Sequence, residues 1–181
     1  MQIEDGAGSG RRVEVTPGNR LKVYAVTETE EAHATEEGDS FSVAFSVTPT
    51  GPADCFLYIK NESNDDLVIE GFGIWLAANE YVDVVIGDTG TPVGGTDITP
   101  VNLNAGSGNA ASGTFESGVD ITGLARGSTA YRIYHASSQE TKYTNFEQDI
   151  HIPKNYVLSL YVQTGATALA GFIDMYYHTD R

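Results

Sequence analysis

Phe41-Ser42-Val43-Ala44-Phe45-Ser46-Val47 alternates apolar with small side chains without a break. Successive side chains of an extended chain point to opposite faces. This period of two therefore puts Phe41, Val43, Phe45 and Val47 on one face and Ser42, Ala44 and Ser46 on the other. A helix would scatter the same residues around its axis, so the reading is a half-buried β-strand. The chain that follows repeats it. TPTGPAD (48–54) is a turn, CFLYIKN (55–61) a strand, NESNDD (61–66) a turn, LVIEGFGIWLA (67–77) a longer strand, and YVDVVIG (81–87) alternates again. Three turns between four strands at this spacing predict an antiparallel sandwich or barrel. Gly71 and Gly73 inside the third run predict a bulge or bend.

Further along, TAYRIYH (129–135), Tyr143 to His151, YVLSLYVQ (156–163) and LAGFIDMYYH (169–178) read as strands, with turns at IPKN and TGATA. The count comes to about eight strands in two groups, which suits an all-β antiparallel β-sandwich of jelly-roll type. Toward the N-terminus RLKVYAVT (20–27) also alternates. Between it and Phe41, ETEEAHATEEGD (28–39) packs five glutamates and an aspartate and reads as an exposed acidic loop. Residues 1–19 form a Gly/Ser-rich arm with Arg11, Arg12 and a Pro17–Gly18 turn signal. Residues 20–181 are taken as a single β-sandwich domain.

The two groups are joined by a stretch of another kind, GDTGTPVGGTDITPVNLNAGSGNAASGTFESGVDITG (87–123), with nine glycines, no Lys or Arg, and Phe115 as its one aromatic. Structureless connections beyond about 15 residues are rare in compact domains and are usually functional or disordered. This one carries little apolar surface to offset the entropy of ordering it. The expectation is a segment that moves freely or orders against something larger, with ITPVNLN (98–104) as a short edge strand and Ser117 to Leu124 touching the sheet.

The chain has 181 residues, 40% of them hydrophobic, including ten Tyr and seven Phe, enough for one real core. Ten basic residues stand against 25 acidic ones, a formal charge of −15. Such a chain repels polyanions, which excludes nucleic acid and anionic membranes as expected partners. A single cysteine, Cys55, excludes an internal disulfide and reads as a buried thiol. No apolar run approaches the ~18 residues of a membrane helix, and the first residues lack a secretory pattern, so synthesis in the cytoplasm is expected.

No motif carries catalysis. His33, His135, His151 and His178 lack the spacing of a metal pair, although His135 and His178 both end strands and a metal shared between them stays open. GSGNAASG lacks the strand–turn–helix setting of a nucleophile, and PVGGTD is not a phosphate loop. NESNDD is oxygen-rich but reads as an ordinary hairpin turn rather than a calcium loop. Trp75, in GIWLA, reads as buried. Tyr131, Tyr134, Tyr143 and the pair Tyr176–Tyr177 are candidates either for sugar stacking or for a core or subunit interface. No cofactor is expected.

The segments TPVGGTDITPVNLNAGSGNAASGTF (91–115) and IHIPKNYVLSLYVQTGATALAGFIDMYYHTD (150–180) resemble stretches of virion structural proteins of tailed bacteriophages. The likeness covers residues 87–181. It implies a capsid decoration (cement) protein with a β-sandwich body, often jelly-roll-like and often trimeric, seated on the capsid surface and clamping the major capsid protein. No catalytic residues carry over. On this reading the partners are the major capsid protein and further copies of the chain, and the protein assembles in the host cytoplasm into the virion. Arg11, Arg12 and Arg20 are the first candidates for contacts with neighbours. The stretch 87–118, with Asn102 and Asn104, comes second. The alternative is a receptor- or carbohydrate-binding module of a tail or spike.

Overall fold

A computed structural model describes residues 29–137 and 140–178. Among these residues one helix, α1 (Glu30–Glu37), precedes thirteen strands. They are β1 (Ser40–Val47), β2 (Cys55–Asn61), β3 (Asp66–Leu76), β4 (Glu80–Ile86), β5 (Thr89–Val93), β6 (Thr96–Asp97), β7 (Val101–Asn102), β8 (Gly113–Ser117), β9 (Thr122–Ala125), β10 (Ser128–His135), β11 (Lys142–Ile152), β12 (Val157–Val162) and β13 (Leu169–His178). The first sheet has the order β11-β3-β13-β1-β7, and the second β10-β4-β12-β2-β8-β6. A two-stranded ribbon, β5-β9, stands apart. The long strands pair antiparallel from the outside inward: β1 with β13, β2 with β12, β3 with β11 and β4 with β10.

The alternation read at 41–47 is realised. Phe41, Val43 and Phe45 enter the core between the sheets, where they meet Ile69, Phe72 and Ile173 of the first sheet and Leu57, Ile59, Val84, Leu158 and Leu160 of the second. Two irregularities break the period. On β2, Phe56 is an extra residue between pairs Leu57↔Leu160 and Cys55↔Tyr161, so Phe56 and Leu57 both reach the core. On β3 the register slips at Glu70, beside Gly71, where the two glycines predict a bulge. A side chain at Gly71 would run into the Thr144 carbonyl, and one at Gly73 would occupy the place of the Phe172 ring.

The acidic stretch is a helix and not a loop. Thr29 caps it by accepting from the Ala32 amide at 3.2 Å, and Glu30 and Glu31 face the positive end of its dipole. Gly38 ends it in the left-handed region at φ 84°, donating to the carbonyls of Ala34 and Thr35. Ala34 packs on Val68 and Tyr176 across the outer face of the first sheet. Charge density argued for solvation, but the caps and this one small apolar contact decide the conformation.

The Gly-rich connection is likewise ordered on its own domain. Its β8 extends the second sheet from β2, β6 adds to β8, and β7 pairs with Phe41 and Ser42 of β1. The expected edge strand at 98–104 shrinks to Val101–Asn102, because Pro100 has no amide to donate. Ile121 and Leu124 cover Cys55, Tyr58, Val85, Val157 and Tyr161 on the outer face of the second sheet, a second small core. That cover supplies the apolar burial that offsets the cost of ordering the connection. RLKVYAVT (20–27) and the arm 1–19 lie outside the described residues.

Ile59→Ala removes a fully buried side chain from the inter-sheet core and is expected to cost about 2–5 kcal/mol. Thr29→Ala removes only a helix cap and is expected to cost about 1 kcal/mol. Urea midpoints of the two variants against the parent chain check both values.

Candidate functional site

On β4 the alternation sends Val82 and Val84 into the core and Tyr81 and Asp83 outward. The neighbouring edge strand β10 sets Arg132 opposite Asp83 and Tyr134 opposite Tyr81. Asp83 is wholly buried. It accepts from Arg132 Nε and Nη2 at 2.7 and 2.9 Å, from Arg126 Nη2 at 2.5 Å and from Gln163 Nε2 at 2.7 Å. The paired bonds from Arg132 are the strongest hold that a side chain offers a carboxylate. They keep the Asp83 carboxyl below its ordinary range against the opposing effect of burial, with Arg126 adding to them.

Arg126 enters from the segment after β9 and lies 4.3 Å over the Tyr161 ring. Tyr161 in turn donates to Asp88 at 2.6 Å, and Asp88 accepts from the Gly127 amide at 2.7 Å. One hub thus ties β4, β10, β12 and the end of the Gly-rich connection. Below it, Glu80 accepts from the amides of Tyr81, Thr164 and Gly165 and from the Thr164 hydroxyl at 2.5 Å. Burial alone would raise this carboxyl, but the bonds from Thr164, Tyr81 and Gly165 outweigh it and hold it low.

Arg126 and Arg132 formally balance Asp83 and Asp88, so the hub is a locally neutral site on a strongly acidic chain. The Arg132 side chain is 55% exposed. Beside it Tyr81 and Tyr134 are 45% and 51% exposed, with ring centroids 5.1 Å apart. Tyr131, also exposed, stacks on Phe146 at 5.1 Å across the sandwich edge. Exposed Tyr and Arg held on a rigid strand are the residue types that dominate protein contacts. The hub removes the usual entropic cost of fixing an arginine, because Arg132 is already oriented.

The expected site residues fall differently. Arg11, Arg12 and Arg20 lie outside the described residues. Asn102 and Asn104 are half-buried and bond within the chain. Asn102 Nδ2 donates to Gly38 O at 2.6 Å and Asn104 Nδ2 to Glu36 O at 3.0 Å. With Asn109 Nδ2 on Asp39 at 3.1 Å, they tie the connection to the end of α1, where carbonyls lack helical partners. Tyr176 and Tyr177 are buried, Tyr177 exchanging bonds with the Ser112 backbone at 2.8 and 2.9 Å. Tyr143 is exposed and stacked on Phe172. Trp75 is only half-buried.

Cys55 is buried, and burial followed by the charge of Asp88 pushes its thiol up to about 12. Asn61 organises the NESNDD turn, donating to Asp65 O and Ile152 O at 2.8 Å each. His135 ends β10 against Phe72, whereas His178 pairs with Asp66 in the other sheet, so the two do not meet. Among the described residues no three His, Cys, Asp or Glu side chains are grouped to hold a metal, and no helix is long and apolar enough to cross a membrane.

The hub went unread in the sequence, yet two signals mark it. Asp83 interrupts an otherwise apolar run, and Arg126 and Arg132 are the only arginines between residues 21 and 180.

The opposite outer face has the reverse character. Glu70 lies near Glu31, Asp174 and Asp149, and burial followed by the repulsion of Glu31 raises its carboxyl to about 7.

Asp83→Asn breaks a buried ion pair and is expected to cost about 3 kcal/mol near neutral pH. Because the folded carboxyl is held low, that stabilisation exists above the unfolded value near ~4 and fades as pH falls further. Denaturation curves of parent and variant are therefore expected to converge in acid. Glu70→Gln has the opposite sign. A raised folded value favours the fold below the unfolded value and loses that support as pH rises through about 7. The variant is expected to gain on the parent above that pH and not near pH 4.

Comparison of the chain with protein-family models, with characterised proteins and with solved structures finds no match.

Proposed function

We propose that the protein is a non-enzymatic structural component of a tailed-phage virion, a homotrimeric decoration protein that binds the major capsid protein at the capsid surface and stabilises the shell. The observation that carries this reading is the Tyr81–Tyr134–Arg132 face, preassembled on the Asp83 hub at β10, the last strand of the second sheet among the described residues. A protein whose work is contact needs such a face and a stiff body behind it.

The nested pairing of eight long strands supports reading the sandwich as a jelly roll. A cyclic trimer needs two different patches that meet head to tail. The arginine-bearing face on one side of the sandwich and the acidic face on the other offer that contrast. The acidic balance of the whole chain also fits a partner that is protein rather than nucleic acid.

A second reading keeps some support. Two exposed tyrosines beside a guanidinium and the Gln163 amide also suit stacking on a sugar ring, as in a receptor- or carbohydrate-binding module of a tail or spike. A glycan array separates the readings, since binding there without affinity for shells favours the module.

The full-length protein is expected to have three chain masses in solution and to pellet with expanded empty capsids but not with DNA. Tyr81→Ala combined with Tyr134→Ala is expected to weaken occupancy tenfold or more, two contact tyrosines contributing about 1–2 kcal/mol or more each, without changing the fold. Replacing Arg11, Arg12 and Arg20 together is expected to weaken attachment as well. A monomer that ignores shells contradicts the proposal.

A further inference from the structure

Sheet edges present unpaired amides and carbonyls, and proteins cover them or use them to receive a strand. Among the described residues β1 has a neighbour on its outer side only at Phe41 and Ser42, where β7 pairs. From Val43 to Val47 no described strand lies there. Beside this length the two sheets open into a groove of about 710 Å³, lined by Phe45, Val47, Trp75, Ile98, Val119 and Leu169. Ser46, Thr48, Thr96 and Ser117 also line it, and an extended backbone along its rim would satisfy β1.

We propose that this edge is a strand-addition site and that its occupant is the chain's own segment 20–27, RLKVYAVT, paired antiparallel to β1. Three observations select it. The first is pattern: Leu21, Val23 and Ala25 alternate with Arg20, Lys22 and Tyr24. Because the side-chain period is two, the apolar set joins the face of Val43, Phe45 and Val47 only in alternate registers. The second is reach. Glu30 lies 3.3 Å from His178, whose strand places it two positions before the start of β1. Phe45 is seven positions further on, about 23 Å at the rise of a strand. The nine residue steps from Arg20 to Thr29 span up to about 30 Å, and a segment laid from Val47 back to Thr29 would be antiparallel to β1. The third is charge. Residues 11–27 hold four basic side chains and one acidic one in a chain of net −15. In the apolar-inward registers Arg20 and Lys22 point to the outer side of the first sheet, the side on which Glu31, Glu70, Asp149 and Asp174 crowd. This inference does not rest on the virion reading.

Hydrogen exchange on the full chain tests it. The amides of 43–48 are expected to exchange roughly tenfold or more slower than open-edge amides. Leu21→Asp with Val23→Asp should release them while β3 and β12 stay protected. A cysteine pair identifies the donor chain. Lys22→Cys with Ala44→Cys should close a link within one chain on mild oxidation, and Leu21→Cys with Ala44→Cys, on opposite faces, should not. Native Cys55 does not compete, being buried with its thiol raised to about 12. Fast exchange at 43–48 in the parent chain overturns the proposal. So does a link that joins two chains, which would make the donor a neighbouring copy.

Discussion

The pairing of β1 with β13 closes the molecule. It joins Ser40 to Tyr176 and Val47 to Leu169 across the whole length of the domain, and inside it the second strand meets the twelfth, the third the eleventh and the fourth the tenth. Once that nesting is fixed, both inner faces are buried against each other. Two outer faces and the strand edges are left for the rest of the chain to cover, charge or expose. Most of the remaining structure is the answer to that constraint.

Each outer face has its own solution. On the first sheet α1 lies across Val68 and Tyr176, anchored by asparagines from the Gly-rich connection. On the second sheet the end of that connection lays Ile121 and Leu124 over Tyr58, Val85 and Tyr161. The cover ends at Val85 of β4, and over the rest of β4 and β10 the surface changes character. Asp83, taken out of water, needs strong partners, and Arg126 and Arg132 supply them from two different segments. A buried carboxylate that is well paired is not in itself a stabilising device relative to an apolar residue. Its effect here is to fix where β10 lies and how Arg132 and the two tyrosines are presented.

The strands were legible because one rule, alternation, governs them between the bulges. Gly71 and Gly73 marked the bulge on β3, whereas Phe56 escaped because a bulge is set by the partner strand as much as by the local chain. The helix was legible in principle: Thr29, Glu30, Glu31 and Gly38 are ordinary end signals. The density of negative charge masked them. The order of the Gly-rich stretch was not legible. Its stability comes from contacts some thirty to seventy residues distant in sequence, such as Thr122 with Val93 and Asn104 with Glu36. The contact face was hidden for a related reason, since Asp83, Arg126 and Arg132 become one group only when β4 and β10 pair.

On the proposed reading, the β4–β10 surface is where this protein meets its partner. Hydrogen exchange of the full-length protein, free and bound to expanded shells, tests it most directly. The account predicts that binding adds protection at 128–135 and 80–86. Protection confined to α1 and the outer face of the first sheet, or none anywhere, would contradict it.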